Sequence, residues 1–171
     1  LCRQAAVKLV KGEQKSITVG VKRLKEFLGR KQLHHDVCMQ EAQPGVVTGL
    51  AWTSAGGEIL FIETAKIRGD GKVKVTGQLG DVMKESVQIA LTLVKSMFPE
   101  EAEVLKESDL HIHVPAGAVP KDGPSAGITI VTALTSMLLN KGISPEFAMT
   151  GEVSLRGGVM PIGGLPEKLM A

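Results

Sequence analysis

Pro120-Lys121-Asp122-Gly123-Pro124-Ser125-Ala126-Gly127 opens directly into a largely apolar run over 128–139 that no Gly, Pro or charge breaks. Gly and Pro punctuate the octet and Asp122 is placed to cap the run, so the pattern predicts a tight loop entering a helix. That helix carries Ile128, Ile130, Val131, Leu134, Met137 and Leu138, is apolar nearly all round, and is expected to be buried. Ser125 then stands at a helix start. Gly123, Pro124 and Ala126 beside it let the backbone approach a substrate, and the unpaired N–H groups of the first turn face any negative charge that develops next to the hydroxyl. An acyl-transfer nucleophile needs an accessible Oγ and preorganised donors for the oxyanion. The plainer alternative is a small residue that lets loop and helix pack closely.

Upstream, Leu110-His111-Ile112-His113-Val114 reads as a short strand feeding the loop, with His111 and His113 on one face by the two-residue period. The H-x-H spacing has no third ligand close in sequence, so no metal site is expected. The acidic run 100–109 is expected to be a solvated connection. Before it, Gly80-Asp81 starts a helix whose apolar stripe reads Val82, Ile89, Leu93 and Met97, stopped by Pro99. Strand-like segments cover 46–53, 58–67 and 72–76, joined through Ala55-Gly56-Gly57 and Arg68-Gly69-Asp70-Gly71. Three consecutive strands with short turns imply an antiparallel portion of sheet, with Trp52 as a core or sheet-face anchor.

Downstream, Phe147-Ala148-Met149 reads as a short strand, and Val153-Ser154-Leu155 pairs with Val159-Met160-Pro161-Ile162 as a hairpin through Arg156-Gly157-Gly158. Gly163-Gly164 then enters a helix beginning near Leu165. A meander succeeded by alternating strands and helices argues an α+β fold, a mixed sheet with packed helices, preceded by a short helical segment. That leading segment consists of a helix over 1–11, the β-prone piece Ser16-Ile17-Thr18-Val19, and a second helix over 21–28 stopped by Gly29. A mixed stretch over 32–44 reads as a linker, and His34-His35 within it diverge on an extended chain and do not share a metal.

The chain has 171 residues, 43% of them hydrophobic, enough for one well-packed domain with an appendage. Twenty Lys and Arg against 18 Asp and Glu give no electrostatic case for nucleic acid. No run reaches the roughly 18 apolar residues of a membrane span. Cys2 and Cys38 lack metal-ligand spacing and are expected as free thiols of a reducing compartment. No G-x-x-x-x-G-K-[ST] occurs, so no ATP site and no cofactor are expected in this stretch.

A base for Ser125 can be sought among its neighbours. Lys168 falls in the first turn or two of the last helix, flanked by Leu165, Leu169 and Met170, where desolvation and the positive end of a helix dipole would lower its pKa towards that of a base. Solvation is the plainer reading. A Ser-x-x-Lys arrangement is excluded, because Ile128 occupies the third position after Ser125. Lys121 sits in a loop read as too exposed for a low-pKa amine. Ser125, His113 and Asp122 can also be drawn as a triad.

The octet, with His111-Ile112-His113-Val114-Pro115 before it and Thr150-Gly151-Glu152 and Pro161-Ile162-Gly163-Gly164-Leu165-Pro166-Glu167-Lys168 after it, resembles the proteolytic domain of the Lon family of ATP-dependent serine proteases, LonA type. The likeness extends upstream through Gly49-Leu50-Ala51-Trp52-Thr53 and 75–86, so it covers most of the chain in order. The resemblance implies a Ser–Lys dyad of Ser125 and Lys168, Thr150 orienting the lysine, and His113 and Asp122 in the surroundings of the site. It also implies that 1–31 is the tail of an ATPase lid, 32–44 a linker, and 45–171 the proteolytic domain, truncated at its C-terminus. ATP and Mg²⁺ belong to the ATPase module. The expected setting is a homohexameric ring, cytoplasmic and bacterial rather than mitochondrial, that degrades unfolded, misfolded or regulatory polypeptides in protein quality control and the stress response, without membrane or nucleic-acid partners. Two other classes stay open: a non-catalytic oligomerisation or peptide-binding module, and a kinase-like domain using the loop as a phosphate cradle.

Overall fold

The computed structural model describes residues 1–12, 16–28, 41–53 and 56–171. The predicted linker lies largely outside them, as do Gly29, His34, His35 and Cys38. The chain forms two compact units, 1–35 and 36–171.

In the first unit, α1 (Cys2–Val10) precedes a 3-10 turn (Val21–Arg23) that runs into α2 (Leu24–Leu28). Residues 16–19, read as β-prone, join no strand, because no described partner offers them a ladder. Among the described residues of this unit, Phe27 is the buried apolar one, covered by the Lys8 and Arg23 cations. Glu26, hydrogen-bonded first to Arg23 and then to Lys8, is held down at about 2.

The second unit holds β1 (Val46–Thr53), β2 (Gly56–Arg68), β3 (Val73–Thr76) and α3 (Asp81–Met97). A short α4 (Pro99–Ala102) and a 3-10 turn (Glu103–Glu107) lead to β4 (Ser108–His113), and α5 (Gly127–Leu138) comes after the serine loop. Last come β5 (Ala148–Met149), the β6 (Glu152–Val153) and β7 (Val159–Met160) hairpin, and α6 (Leu165–Lys168). The main sheet has the order β3-β4-β2-β1-β5. Pairs β1–β2 and β2–β4 are antiparallel, while β1–β5 and β3–β4 are parallel. This is the mixed sheet with packed helices of an α+β fold.

One expected pairing differs. β3 does not continue the β1–β2 meander but pairs with β4, which takes the place beside β2. The turn between β2 and β3 explains the change: Asp109 at the start of β4 accepts the N–H groups of both Asp70 and Lys72 at 2.9 Å. Those bonds, the Lys72 one first, hold its carboxyl below the usual range. The turn is thereby tied to β4, and β3 leaves along that strand's outer edge.

The core lies between one face of the sheet and α3 and α5. Val47, Ile62, Ile112, Val114, Val87, Ile130 and Leu134 are fully buried there, each contributing about 1.5–3 kcal/mol by leaving water. α5 is embedded as its composition predicts, and its buried hydroxyls are all satisfied. Thr129 donates to Met149 O at 3.0 Å, fastening α5 to β5, while Thr64 of β2 donates to Ala133 O at 3.1 Å. On α3 the buried face is Met83, Ser86, Val87, Ala90, Leu91, Leu93 and Val94. Val82 and Met97 of the predicted stripe are exposed instead, because Met83, Val87, Ala90 and Val94 form a rival helical row whose small Ala90 faces the core. The acidic segment 100–109 is more than a solvated connection, since Leu105 within it is buried.

Candidate active site

Ser125 sits in a single 3-10 turn, Pro124–Ala126, that leads into α5. Gly123 before it has φ 115°, a conformation a side chain would strain, and this lets the chain swing from the loop into the helix. The Ser125 carbonyl is fixed from two sides, by Gly151 N–H at 2.7 Å and Thr150 Oγ1 at 3.2 Å. Ile128 N–H returns a bond to Gly151 O at 3.1 Å, so the serine turn and the 150–151 segment are laced together. The serine side chain is half-buried, and its Oγ has no hydrogen-bond partner among the described residues.

Lys168 ends the single turn of α6, which starts from Gly164 in the left-handed region at φ 68°. Lys168 is 3% exposed, and Nζ donates to Thr150 Oγ1 at 3.0 Å. Its pKa is lowered from the ordinary 10.5, and the cause is desolvation of the charge by burial. The apolar flank expected from sequence does not supply that burial. Leu165, Leu169 and Met170 are exposed, at 71% for Leu169, because the turn shows that face to solvent. Nor does a helix dipole act, since Lys168 is the last residue of a four-residue turn rather than near the positive end of a helix. The turn itself is seated against β2: a Cβ at Gly57 would lie 2.0 Å from Glu167 O and 3.1 Å from Lys168 Cα, so only a glycine lets the turn approach that closely.

Thr150 sets the direction of the lysine's hydrogen bond. Its single proton goes to Ser125 O, so towards Nζ it can only accept. A neutral amine donating one N–H to Thr150 keeps its lone pair for another proton.

Ser125 and Lys168 line one cleft of about 820 Å³. The loop 115–124 forms one wall; Leu50, Trp52 and Phe61 of the β1–β2 ladder line another side. Trp52 is 60% exposed at this cleft, rather than a core anchor. Sequence reasoning misses Trp52 at the cleft and Gly57 behind the Lys168 turn; the signals it offers for them are a lone tryptophan in a strand and glycine pairs at 56–57 and 163–164.

Asp122 borders the cleft, with its carboxylate committed elsewhere. Oδ1 accepts Met83 N–H and Gly123 N–H, each at 2.9 Å, so it caps α3 rather than the helix next to it in sequence. These bonds, the Met83 one first, hold its pKa below the usual value. Lys121 is half-buried, not exposed as read from its loop position. Its ammonium donates to Gly77 O, Ala116 O and Val119 O at 3.0, 2.8 and 3.0 Å, and burial lowers its pKa. His113 does not line the cleft: Nδ1 lies 2.7 Å from Thr76 Oγ1, which His111 Nε2 shares at 2.9 Å. Among the described residues no group of three or more His, Cys, Asp or Glu is placed to hold a metal.

An α+β domain that brings a serine at a helix start and a buried lysine to one cleft has the layout of a proteolytic domain, and the comparisons agree. Residues 18–171 match the C-terminal proteolytic domain of Lon proteases (S16). The chain is 51% identical to Lon protease 1 of Bdellovibrio bacteriovorus over 173 aligned residues, covering 100% of this chain and 22% of that protein. It is 58% identical over 147 residues to the Lon protease of Clostridium beijerinckii (86% of this chain, 18% of that protein) and 55% over 150 to that of Methanosarcina barkeri (86% and 19%). The chain belongs to the Lon proteolytic-domain family. It spans about a fifth of the length of these relatives.

Proposed function

We propose that the chain is the peptide-cleaving part of an ATP-dependent serine endopeptidase and works through a Ser125–Lys168 dyad. Neutral Lys168 takes the proton from Ser125 Oγ, which attacks the scissile carbonyl and forms an acyl-enzyme. Backbone N–H groups at the helix start, in the Gly123–Ala126 turn, hold the oxyanion, and protonated Lys168 gives its proton to the leaving amine. Water then hydrolyses the acyl-enzyme with Lys168 again as base. The observation that carries this reading is the chain of contacts Lys168 Nζ–Thr150 Oγ1–Ser125 O, which fixes the amine to the serine's own backbone beside one shared cleft. The absence of a direct Oγ–Nζ bond is compatible with it, since catalytic hydrogen bonds often tighten only when substrate is bound.

In the full-length protein, the proposal extends to unfolded, misfolded or regulatory polypeptides as substrates, an ATPase module with Mg²⁺ that delivers them, a homohexameric ring and a bacterial cytoplasm. Membership of the Lon family supports these points. The test of the dyad is labelling of the full-length protein with a serine-directed electrophile and mapping of the modified residue by mass spectrometry; modification anywhere but Ser125 ends the serine-protease reading.

Residues 1–171 contain no P-loop, so calorimetric titration of this stretch with Mg-ATP should show no binding. A saturable micromolar site over 120–127 would favour the kinase-like alternative. Gly57→Ala should push the Lys168 turn off β2 and lower kcat/KM of the full-length protein by about 10²-fold, the cost of roughly an ångström of misplacement at a catalytic group. Circular dichroism should be unchanged, because Gly57 is half-buried near the end of the β1–β2 ladder and outside the core. Cleavage within twofold of wild type would show that this contact does not place the lysine.

A further inference from the structure

The loop 115–123 forms the cleft wall nearest Ser125, yet among the described residues it contains neither helix nor strand beyond one bridge, Leu79 to Lys121. Its backbone is pinned at Lys121, whose N–H donates to Gln78 O at 3.0 Å and whose carbonyl accepts Gly80 N–H at 2.7 Å. From the same residue, the side chain turns back under the loop. Its three ammonium donors reach three carbonyls: Gly77 after β3, and Ala116 and Val119 within the loop itself. An ammonium has three N–H groups, so none is left over.

A second observation shows that this arrangement shapes the backbone. Ala116 has φ 61°, a left-handed conformation that alanine rarely adopts and that persists only where the surroundings impose it. Its carbonyl makes the shortest of the three ammonium contacts. Burial lowers the Lys121 pKa, and the three carbonyl contacts are what favour the ammonium form against that cost. We propose that Lys121 is a positioning residue: its ammonium gathers the carbonyls of Gly77, Ala116 and Val119 and so fixes the wall against which a peptide lies beside Ser125. The inference rests on the Ser125 reading and adds a residue that touches neither the reacting atoms nor the base.

The test uses the full-length protein, a fluorogenic peptide and diisopropyl fluorophosphate, a probe too small to need the wall. Lys121→Met keeps the stem and removes the donors; it should raise KM by about tenfold or more, with the loss falling on KM rather than on kcat or the labelling rate. Lys121→Gln, with two donors and no charge, should lie between Met and wild type. Lys121→Cys alkylated to the aminoethyl thioether, which restores an ammonium at nearly the original reach, should return KM to within about threefold of wild type. A merely structural role would lower the melting temperature and the labelling rate of the Met variant together with its KM effect, and both are read on the same preparation. An unchanged KM in Lys121→Met, a fall in kcat at constant KM, or no rescue by aminoethylation overturns the proposal. So does unfolding of both the Met and Gln variants, since the ammonium would then hold up the fold and not the wall. Failure of the wild-type protein to be labelled at Ser125 is a separate outcome and removes the dyad reading instead.

Discussion

Ser125→Ala in the full-length protein is expected to lower peptide hydrolysis by at least about 10⁴-fold, the scale on which removing a nucleophile acts. Its stability should stay within about 0.5 kcal/mol of wild type, as for a substitution that disturbs no packing or pairing. The two expectations have different grounds. Loss of activity stems from the serine's place in the cleft with Lys168. Retained stability stems from the contacts: the carbonyl of residue 125 carries the bonds from Gly151 and Thr150, and alanine keeps that carbonyl, whereas Oγ has no described partner to lose. Steady-state hydrolysis and thermal unfolding of the same preparation check both. Hydrolysis near the wild-type rate would end the serine mechanism, and a large fall in melting temperature would mean the hydroxyl matters to the fold.

Lys168 should be as indispensable, and its variants separate charge from chemistry. Lys168→Arg places a permanently protonated group in the cleft and cannot accept a proton, so it should be as inactive as Lys168→Ala, several orders of magnitude below wild type. Lys168→Met should be equally inactive but at least as stable as wild type, because the buried stem is kept while the desolvated cation is removed. The pH profile has a definite sign. The pKa is depressed from 10.5, and the neutral amine is the active form, so wild-type activity rises with pH through a limb below 10.5 and levels off once the amine is deprotonated. His113→Ala should reduce activity only partially, since its ring is engaged with Thr76 away from the cleft. Single-turnover acylation decides between the bases: near-normal acylation by Lys168→Arg together with none by His113→Ala would replace the dyad with a Ser–His arrangement.

Sequence periodicity was informative where a segment faces a single environment. The buried α5, the β6–β7 hairpin and the loop that carries Ser125 could be read because apolar content and turn residues there are purely local signals. The register of α3 differs from expectation, since Val82 and Met97 compete with Met83 and Val94 as equally plausible helical rows, and only the neighbouring elements decide which one faces inward. The placement of β3 could not be read either, because it depends on Asp109, far along the chain, capturing the turn at 70–72. Within the site, the loop alone leaves Ser125 open to a plain packing role and Lys168 to plain solvation, and it is the family resemblance that singles out both. The lowered pKa of Lys168 has the expected direction, but the exposed Leu165, Leu169 and Met170 do not supply the burial behind it. Lys121 and Asp122 show the same limit. Adjacent in sequence, they serve different masters, one the cleft wall and the other the start of α3, and no spacing rule distinguishes those assignments.

The place of Lys168 in the fold bears on how the site comes apart. Val153 is the last of the buried hydrophobic residues that make up the packed core, and Lys168 lies beyond it in a single turn seated beside Gly57 of β2. Segments with few apolar contacts of their own open at a lower free energy than the core they rest on. On the dyad reading, the amine that activates the serine therefore leaves and returns while the sheet and both long helices stay folded, and a partial opening of this turn leaves Ser125 in position without its base.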